Sequence, residues 1–314
     1  MGVGGEAELL LEPADPDELR AAVCAAREAG HEPFVLGGGA NLLVADGAIP
    51  GIVISTERMR RTFRPLPPGV APEGEEFADE LPRELVLEKS EDPRLVAWAG
   101  ATLPGLVRAA SQLGWAGLEG LVGVPGSLGG GVAMNAGGAP GCMWDVVESV
   151  RVLNAAGEFE DRPRAECDPQ YRNANLGGAV VVGAVLRLSV DSRPAVEERT
   201  REFLLRKRAV QPVTEKSAGC IFKNPDPELS DGRSAGQLID QLGGKGLSRG
   251  AAVVSPKHAN YLVNQGGARA EDAIGLIGDL WERVREGAGV ELELEVKQLG
   301  WAFRGPEAAG GSQD

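Results

Sequence analysis

The chain has 314 residues, 43% of them hydrophobic, enough to bury a sizeable core spread over two or three domains. A formal charge of −14 excludes a general nucleic-acid or anionic-membrane surface, since both need clustered Lys and Arg, but leaves room for a local basic pocket. The 45 glycines exceed the usual frequency yet fall in short bursts without a period, which excludes collagen-like and low-complexity chains.

The N-terminus, MGVGGEAELLLEP, lacks the basic start, apolar middle and cleavage site of a signal peptide. The first strong helix signal follows it. Asp15 is an N-cap, Pro16 takes the first helical position and Glu18 completes a capping box. Leu19, Val23 and Ala26 line one face, and Gly30 is placed to stop the helix in a left-handed conformation. Cys24 lies within this helix and reads as a packed small residue. PFVLGGGANLLV predicts a short strand, a glycine turn and a second apolar run, with Val53 and Ile54 in a further strand.

Residues 60–92 change character, with prolines from Pro65 to Pro72 and then the acidic EGEEFADE, and predict a mobile surface insertion. RLVAWAGA predicts a strand, and Thr102 caps a helix running to about Leu113. SVRVLNAAGEFE predicts a hairpin turning through Asn154 to Gly157, and AVVVGAVLRLSV a strongly apolar strand. A charged helix from about Ala195 leads to a boundary at RKRAVQP. Beyond it come SAGCIFKNP, short strands in AAVVS and NYLVN, and a helix from Glu271 to Glu286 with Ile277, Leu280, Trp281 and Val284 on one stripe. The chain closes on ELELEVKQLGW, an alternating strand, and a disordered-looking tail after Gly305.

The longest apolar candidate, Leu121 to Met134, is broken by Pro125, Ser127 and glycines, so no spanning helix is expected. Cys24, Cys142, Cys167 and Cys220 lie far apart without a CxxC pair, which favours reduced thiols and a cytoplasmic location. His31 and His258 match no zinc spacing, and no metal site is expected.

Two segments have the backbone freedom to cradle phosphate: GGGAN at 37–41 and GVPGSLGGG at 123–131. Neither carries GK[ST], and Leu42 occupies the place of the third glycine in a Rossmann fingerprint. Two such loops in one chain, with Asn41 closing the first and Asn135 following the second, point to a cofactor with a long phosphate-bearing arm; two ligand-free turns are the alternative. Taken singly, Cys220 reads as a buried structural thiol, Arg172, Lys223 and Lys297 as solvent charges, Glu295 as a solvated strand residue and His258 as a hydrogen-bonded structural residue.

Taken together, LGGGANLLV (36–44), GLVGVPGSLGGGVAMNAGG (120–138), YR (171–172), QP followed by SAGCIFKNP (211–225) and ELEVKQLG (293–300) occur in the order of one family. The chain resembles the UDP-N-acetylenolpyruvoylglucosamine reductase (MurB) family over almost its whole length, in its compact subclass without an extra substrate-closing loop. The resemblance implies an α+β chain with an FAD-binding domain of the vanillyl-alcohol-oxidase (PCMH) type in two α+β subdomains, residues 1–56 and 57–195. A C-terminal α+β substrate-binding domain would span 205–304. It also implies non-covalent FAD, NADPH as co-substrate, a UDP-sugar enolpyruvyl ether as substrate, a monomer, and a place in peptidoglycan synthesis, hence in cell shape and division.

Carried over residue by residue, Gly37, Gly38, Gly39, Ala40, Asn41 and Leu42 match one FAD pyrophosphate loop, and Gly123, Val124, Pro125, Gly126, Ser127, Gly129 and Gly130 the other. Asn135, Ala136 and Gly137 match a segment near the flavin, and Gly100, Ala101 and Val182 further cofactor positions. Arg172 matches the arginine facing the enolpyruvyl carboxylate, and Glu295 a catalytic glutamate. Cys220 stands where the family carries its proton donor, usually serine; a thiol, with a reference pKa of about 8.5, is the better acid. Tyr171, Lys223, Asn224, His258 and Lys297 match substrate-side positions. The chain departs from the pattern at Asn173 and at the 60–92 insertion. It opens at MGVGG, which resembles the middle of a TTxxxGG motif, so an N-terminal segment is expected to be missing. A same-fold flavin oxidase with another substrate and a non-catalytic sugar-nucleotide binder are the rival readings.

Overall fold

The caps foreseen at Asp15 and Gly30 are both present in the computed structural model. The Asp15 carboxylate accepts from Glu18 N–H at 2.8 Å, and Glu18 reaches back to Ala14 N–H at 2.8 Å. Helix Pro16–Glu28 then ends in a double closure, His31 N–H on the Ala26 carbonyl and Gly30 N–H on that of Arg27, with Gly30 at φ +83°. The structure describes residues 1–64 and 92–303; most of the predicted insertion, and the tail after Gly305, lie outside the described residues. Contacts divide the chain into two units: Leu9–Gly39 with Gly51–Arg206, and Met1–Glu8 with Ala40–Pro50 and Lys207–Asp314.

In the first unit, the described residues form a five-stranded antiparallel sheet in the order Phe159–Pro163, Val147–Leu153, Val180–Arg187, Arg94–Trp98, Thr62–Phe63. Alternation along each strand sends side chains to opposite faces. Leu95, Ala97, Val150, Ala184 and Leu186 join a core with helix Leu103–Leu113, while Val96, Trp98, Val182 and Val185 join another with Leu19 and Val23 of helix Pro16–Glu28. Both faces are covered, which is why AVVVGAVL is an unbroken apolar run rather than an alternating one. Each fully buried Leu or Val contributes about 1.5–3 kcal/mol. The hairpin turns at Asn154–Gly157 as expected, with Gly157 at φ +79° and a Cβ there only 2.6 Å from the Cys24 sulfur, so Cys24 is a half-buried packing residue. Thr102 caps its helix by accepting from Gly105 N–H at 3.2 Å.

In the second unit, a four-stranded antiparallel sheet runs Ser217–Cys220, Tyr261–Asn264, Ala252–Val254, Ser248–Arg249. Helix Ala270–Ala288 buries Leu276, Ile277, Leu280, Trp281 and Val284 against it, the stripe foreseen from the sequence. The predicted continuous strand ELELEVKQLGW is corrected. Only Lys297–Leu299 is a strand, parallel to Leu42–Val44, and Leu294 makes an isolated bridge to Phe222. The break has a cause: Glu295 N–H and Val296 N–H both donate to the Ile221 carbonyl, at 2.8 and 3.3 Å, which ends the two-residue repeat.

The long helix is capped at a distance in sequence. The Asp46 carboxylate accepts from Ala270 N–H at 3.0 Å and Glu271 N–H at 2.9 Å, and these bonds hold its carboxyl below the usual aspartate range against the opposing effect of burial. A depressed folded-state pKa contributes stability above the unfolded value, about 3.9, that is lost as pH falls through the folded one. Asp46→Ala is expected to cost about 1 kcal/mol at neutral pH. In thermal melts its deficit relative to the native protein should close as pH drops below about 4.

Candidate functional site

Three glycine-bearing segments foreseen as cofactor positions meet within the first unit. Gly38 N–H donates to the Ser127 hydroxyl at 3.2 Å. Leu128 N–H and Gly129 N–H donate to the carbonyls of Ala101 and Ala99, each at 2.8 Å, and Leu103 N–H to that of Gly126 at 3.0 Å. The close approach requires glycine. A Cβ on Gly38 would lie 2.9 Å from Gly126 Cα, and one on Gly100 would lie 2.0 Å from the Thr56 carbonyl oxygen. A Cβ on Gly130, by contrast, meets nothing within 4 Å, so that side of the loop is open. Bare backbone packed from behind and open in front is the cradle that a phosphate-bearing arm fits, and in this respect the residues present suit FAD. Val182 is fully buried in the second core of this unit, where its carbonyl accepts from Ala99 N–H at 2.8 Å; its side chain is a packing group.

Asn135 lies just past the second loop in the left-handed region, at φ +43°, and ties two segments together. Its Oδ1 accepts from Trp144 N–H at 3.3 Å and its Nδ2 donates to the Gln170 carbonyl at 3.2 Å. That carbonyl belongs to a tight hairpin closed by Gln170 N–H on the Asn173 carbonyl at 2.7 Å, with Tyr171 and Arg172 at its tip. Arg172 sits at φ +58° with its guanidinium 5.0 Å from the exposed Tyr171 ring centroid. Its charge also reaches the Cys142 thiol, although burial and Asp145 push that thiol's pKa up. Ala133, Asn173, Asn175 and Gly177 line a depression beside the hairpin.

The second unit holds the other catalytic positions read from the sequence. Cys220 ends its strand half-buried, opposite Tyr261. The next residue, Ile221, receives Glu295 N–H, and Lys223 N–H donates to the Glu293 carbonyl at 2.8 Å, so the Cys220 and Glu295 segments run side by side. Asn41 joins them: its Nδ2 donates to the Glu295 carbonyl at 3.0 Å, and its own carbonyl accepts from Lys297 N–H at 3.0 Å. Asn41 was foreseen as a loop residue; it also fixes the glutamate's backbone.

Among the substrate-side residues, Lys223 is ion-paired with Glu293, and Asn224 Oδ1 accepts from Ala235 N–H at 3.2 Å at the start of helix Ala235–Gln241. Lys297 is exposed on its strand, paired in register with Leu42. Burial holds the His258 imidazole below its ordinary pKa, with Lys245 acting in the same direction. Its Nδ1 accepts from Asn260 N–H at 3.3 Å, which leaves the neutral ring's proton on Nε2. Asn260 escaped the reading of the sequence, where a polar residue entering the strand YLVN carries no motif. Among the described residues no group of three His, Cys, Asp or Glu side chains could hold a metal ion, and no described helix is long and apolar enough to cross a membrane.

Gly38→Ala forces a Cβ onto Gly126 backbone that has no side chain to rotate away. The variant is expected to purify with less than a tenth of the native flavin content, a loss of more than about 1.4 kcal/mol in binding, read from the visible absorbance of the purified protein.

Comparison with known proteins identifies the family of the whole chain. Residues 211–299 match the family model described as UDP-N-acetylenolpyruvoylglucosamine reductase, C-terminal domain, and residues 7–67 and 79–161 match that of an FAD binding domain. The UDP-N-acetylenolpyruvoylglucosamine reductase of Desulforamulus reducens is 39% identical over 300 residues, covering 95% of this chain and 89% of that protein. That of Moorella thermoacetica is 38% identical over 299 residues, with the same coverage of 95% and 89%. The crystal structure of the MurB reductase from Thermus caldophilus superposes with a TM-score of 0.72 at 36% identity, over 95% of this chain and 94% of that one.

Proposed function

The chain belongs to the UDP-N-acetylenolpyruvoylglucosamine reductase family, FAD-dependent oxidoreductases of peptidoglycan precursor synthesis, and from that premise we propose that it reduces UDP-N-acetylglucosamine enolpyruvate with NADPH, using Cys220 as the proton donor. Residues 1–56 and 57–195 would hold the cofactor and 205–304 the substrate, in a cytoplasmic monomer. The family-model ranges support a cofactor part ahead of a substrate part, and the wide spacing of the four cysteines in the sequence supports the location. The observation that carries the proton-donor reading is the junction in the second unit, where Glu295 N–H donates to the carbonyl of Ile221, the residue after Cys220, at 2.8 Å.

Gly37–Asn41 and Gly123–Gly130 would hold the pyrophosphate of FAD through backbone N–H groups. Bound there, FAD would supply the hydride-transfer chemistry that links NADPH to the enolpyruvyl β-carbon. Arg172 binds the substrate carboxylate through its forked donors and stabilises the negative charge that grows on the α-carbon and carboxylate. Cys220 gives its Sγ proton to the α-carbon: the S–H bond breaks, the α-C–H bond forms, and solvent reprotonates the sulfur. Glu295 hydrogen-bonds the enolic form or orients the donor. The sum is one NADPH and one proton consumed for each enolpyruvyl ether reduced to the lactyl ether of UDP-N-acetylmuramate.

The test is spectroscopic. The purified protein should be yellow and should oxidise NADPH faster when UDP-N-acetylglucosamine enolpyruvate is added. Bound flavin with NADPH consumption indifferent to that substrate would assign the chain to another oxidoreductase activity, and a protein that binds no flavin would be a non-catalytic relative.

A further inference from the structure

The strand carrying Cys220 loses its regular pairing just before the thiol. Ser217 faces Val263 and Cys220 faces Tyr261, so three steps on one strand match two on its neighbour. The extra residue is a bulge. Gly219, at φ +80°, takes it up; a Cβ there would meet nothing within 4 Å, so glycine is required by the backbone conformation and not by space. An inserted residue reverses which face the following side chains occupy. Ala218 and Ile221 are fully buried, and without the bulge Cys220 would share the core face of Ala218; with it, the thiol is turned out and left half-buried.

Past Cys220, a side chain takes the place of the ladder. Asn260 is 3% exposed. Its Oδ1 accepts from Phe222 N–H at 3.0 Å, its Nδ2 donates to the Phe222 carbonyl at 2.7 Å, and its own carbonyl accepts from Ile221 N–H at 2.9 Å. Glu293–Val296 grips the same stretch from the other side, at Ile221 and at Lys223. We propose that Asn260 is a positioning residue which, with the Gly219 bulge, aims the Cys220 thiol and holds it in register with Glu295. Both polar atoms of the amide are used at once, one accepting and one donating, so no apolar residue of similar size can replace it. This inference rests on the proposed role of Cys220.

The amide pattern makes a specific test possible. In Asn260→Asp a protonated carboxyl can accept from Phe222 N–H and donate to the Phe222 carbonyl, whereas an ionised carboxylate only accepts and is set against that carbonyl. Burial and a hydrogen bond made by the neutral form both raise such a carboxyl's pKa. The titratable groups on the neighbouring segments, Cys220, Lys223, His258, Glu293 and Glu295, are common to both proteins, so the native pH profile is the control. With the flavin-loaded full chain, Asn260→Asp should approach native substrate turnover at the acid end of the range and lose about 10–100-fold as pH rises, with KM changed less than threefold. Asn260→Leu should show the low rate at every pH.

A second readout does not depend on turnover. Alkylation of Cys220 by iodoacetamide, followed peptide by peptide in a mass spectrometer, should change in rate in Asn260→Leu and Gly219→Ala, while Cys24, Cys142 and Cys167 react as in the native chain. A folded Asn260→Leu with native turnover and native Cys220 alkylation overturns the proposal. So does an Asn260→Asp whose loss is the same at every pH, because the paired hydrogen bonds to Phe222 would then not be what sets the rate. If the native protein does not turn over the enolpyruvyl substrate, the functional reading fails, and the alkylation profile alone still decides whether Asn260 and Gly219 aim the thiol.

Discussion

Cys220→Ala is expected to lower kcat for the enolpyruvyl substrate by about 10²–10⁴, the range spanned by a lost general acid. The thiol is the half-buried group that the bulge at Gly219 turns off the core face, so a methyl in its place removes the proton without opening a cavity in the buried layer of Ala218 and Ile221. Stability should therefore change little, and a thermal melt within 2–3 °C of the native one, equivalent to well under about 1 kcal/mol, separates lost chemistry from lost folding. Single-turnover oxidation of NADPH without substrate should persist, since protonation of the α-carbon belongs to the later half of the reaction. Cys220→Ser keeps an ionisable-proton donor in the same place and should retain appreciable turnover. Full turnover by the alanine variant would remove Cys220 from the mechanism.

Arg172→Met should lower kcat by about 10²–10³, the size of effect seen when a donor to developing negative charge is removed. Arg172→Lys should fall between, because an ammonium keeps the charge but not the fork that matches a carboxylate. The backbone supports a functional reading of this residue. Arg172 is one of four non-glycine residues with positive φ among the described residues, and the other three, Asn135, Asn175 and Asp231, are of the types that tolerate the left-handed region. Holding an arginine there costs about 1–3 kcal/mol, which persists only where the surroundings impose it. They do so here through Asn135 on the Gln170 carbonyl and Asn175 Nδ2 on that of Asp168, at 3.2 and 2.7 Å. Near-native turnover by Arg172→Met would leave the hairpin as a turn without a catalytic part.

Much of the local structure was legible because its causes are local. Asp15, Glu18 and Gly30 lie within a few residues of the backbone groups they satisfy, and Thr102 within three of Gly105. The hairpin at Asn154–Gly157 is set by its own turn residues. ELELEVKQLGW misled for the opposite reason. Its alternation describes what each side chain prefers, while its backbone is claimed by Ile221 and by Asn41, which lies 254 residues away from Glu295. The cap of helix Ala270–Ala288 was likewise invisible, since its acceptor, Asp46, is 224 residues from Ala270.

By itself the sequence determined which residue types are available: glycines where backbone must approach backbone at 37–39 and 123–130, an arginine and a thiol in ordered motifs, and apolar runs long enough for a sheet covered on both faces. Only the tertiary structure decided how those residues are held. It placed an extra residue at Gly219 so that Cys220 leaves the core face, spent the buried amide of Asn260 on Phe222, and ran Glu295 beside the cysteine's strand. The reason is physical. A register shift of one residue and a hydrogen bond between distant segments depend on which strands become neighbours, and neighbourhood is a property of the folded chain that no window of sequence contains.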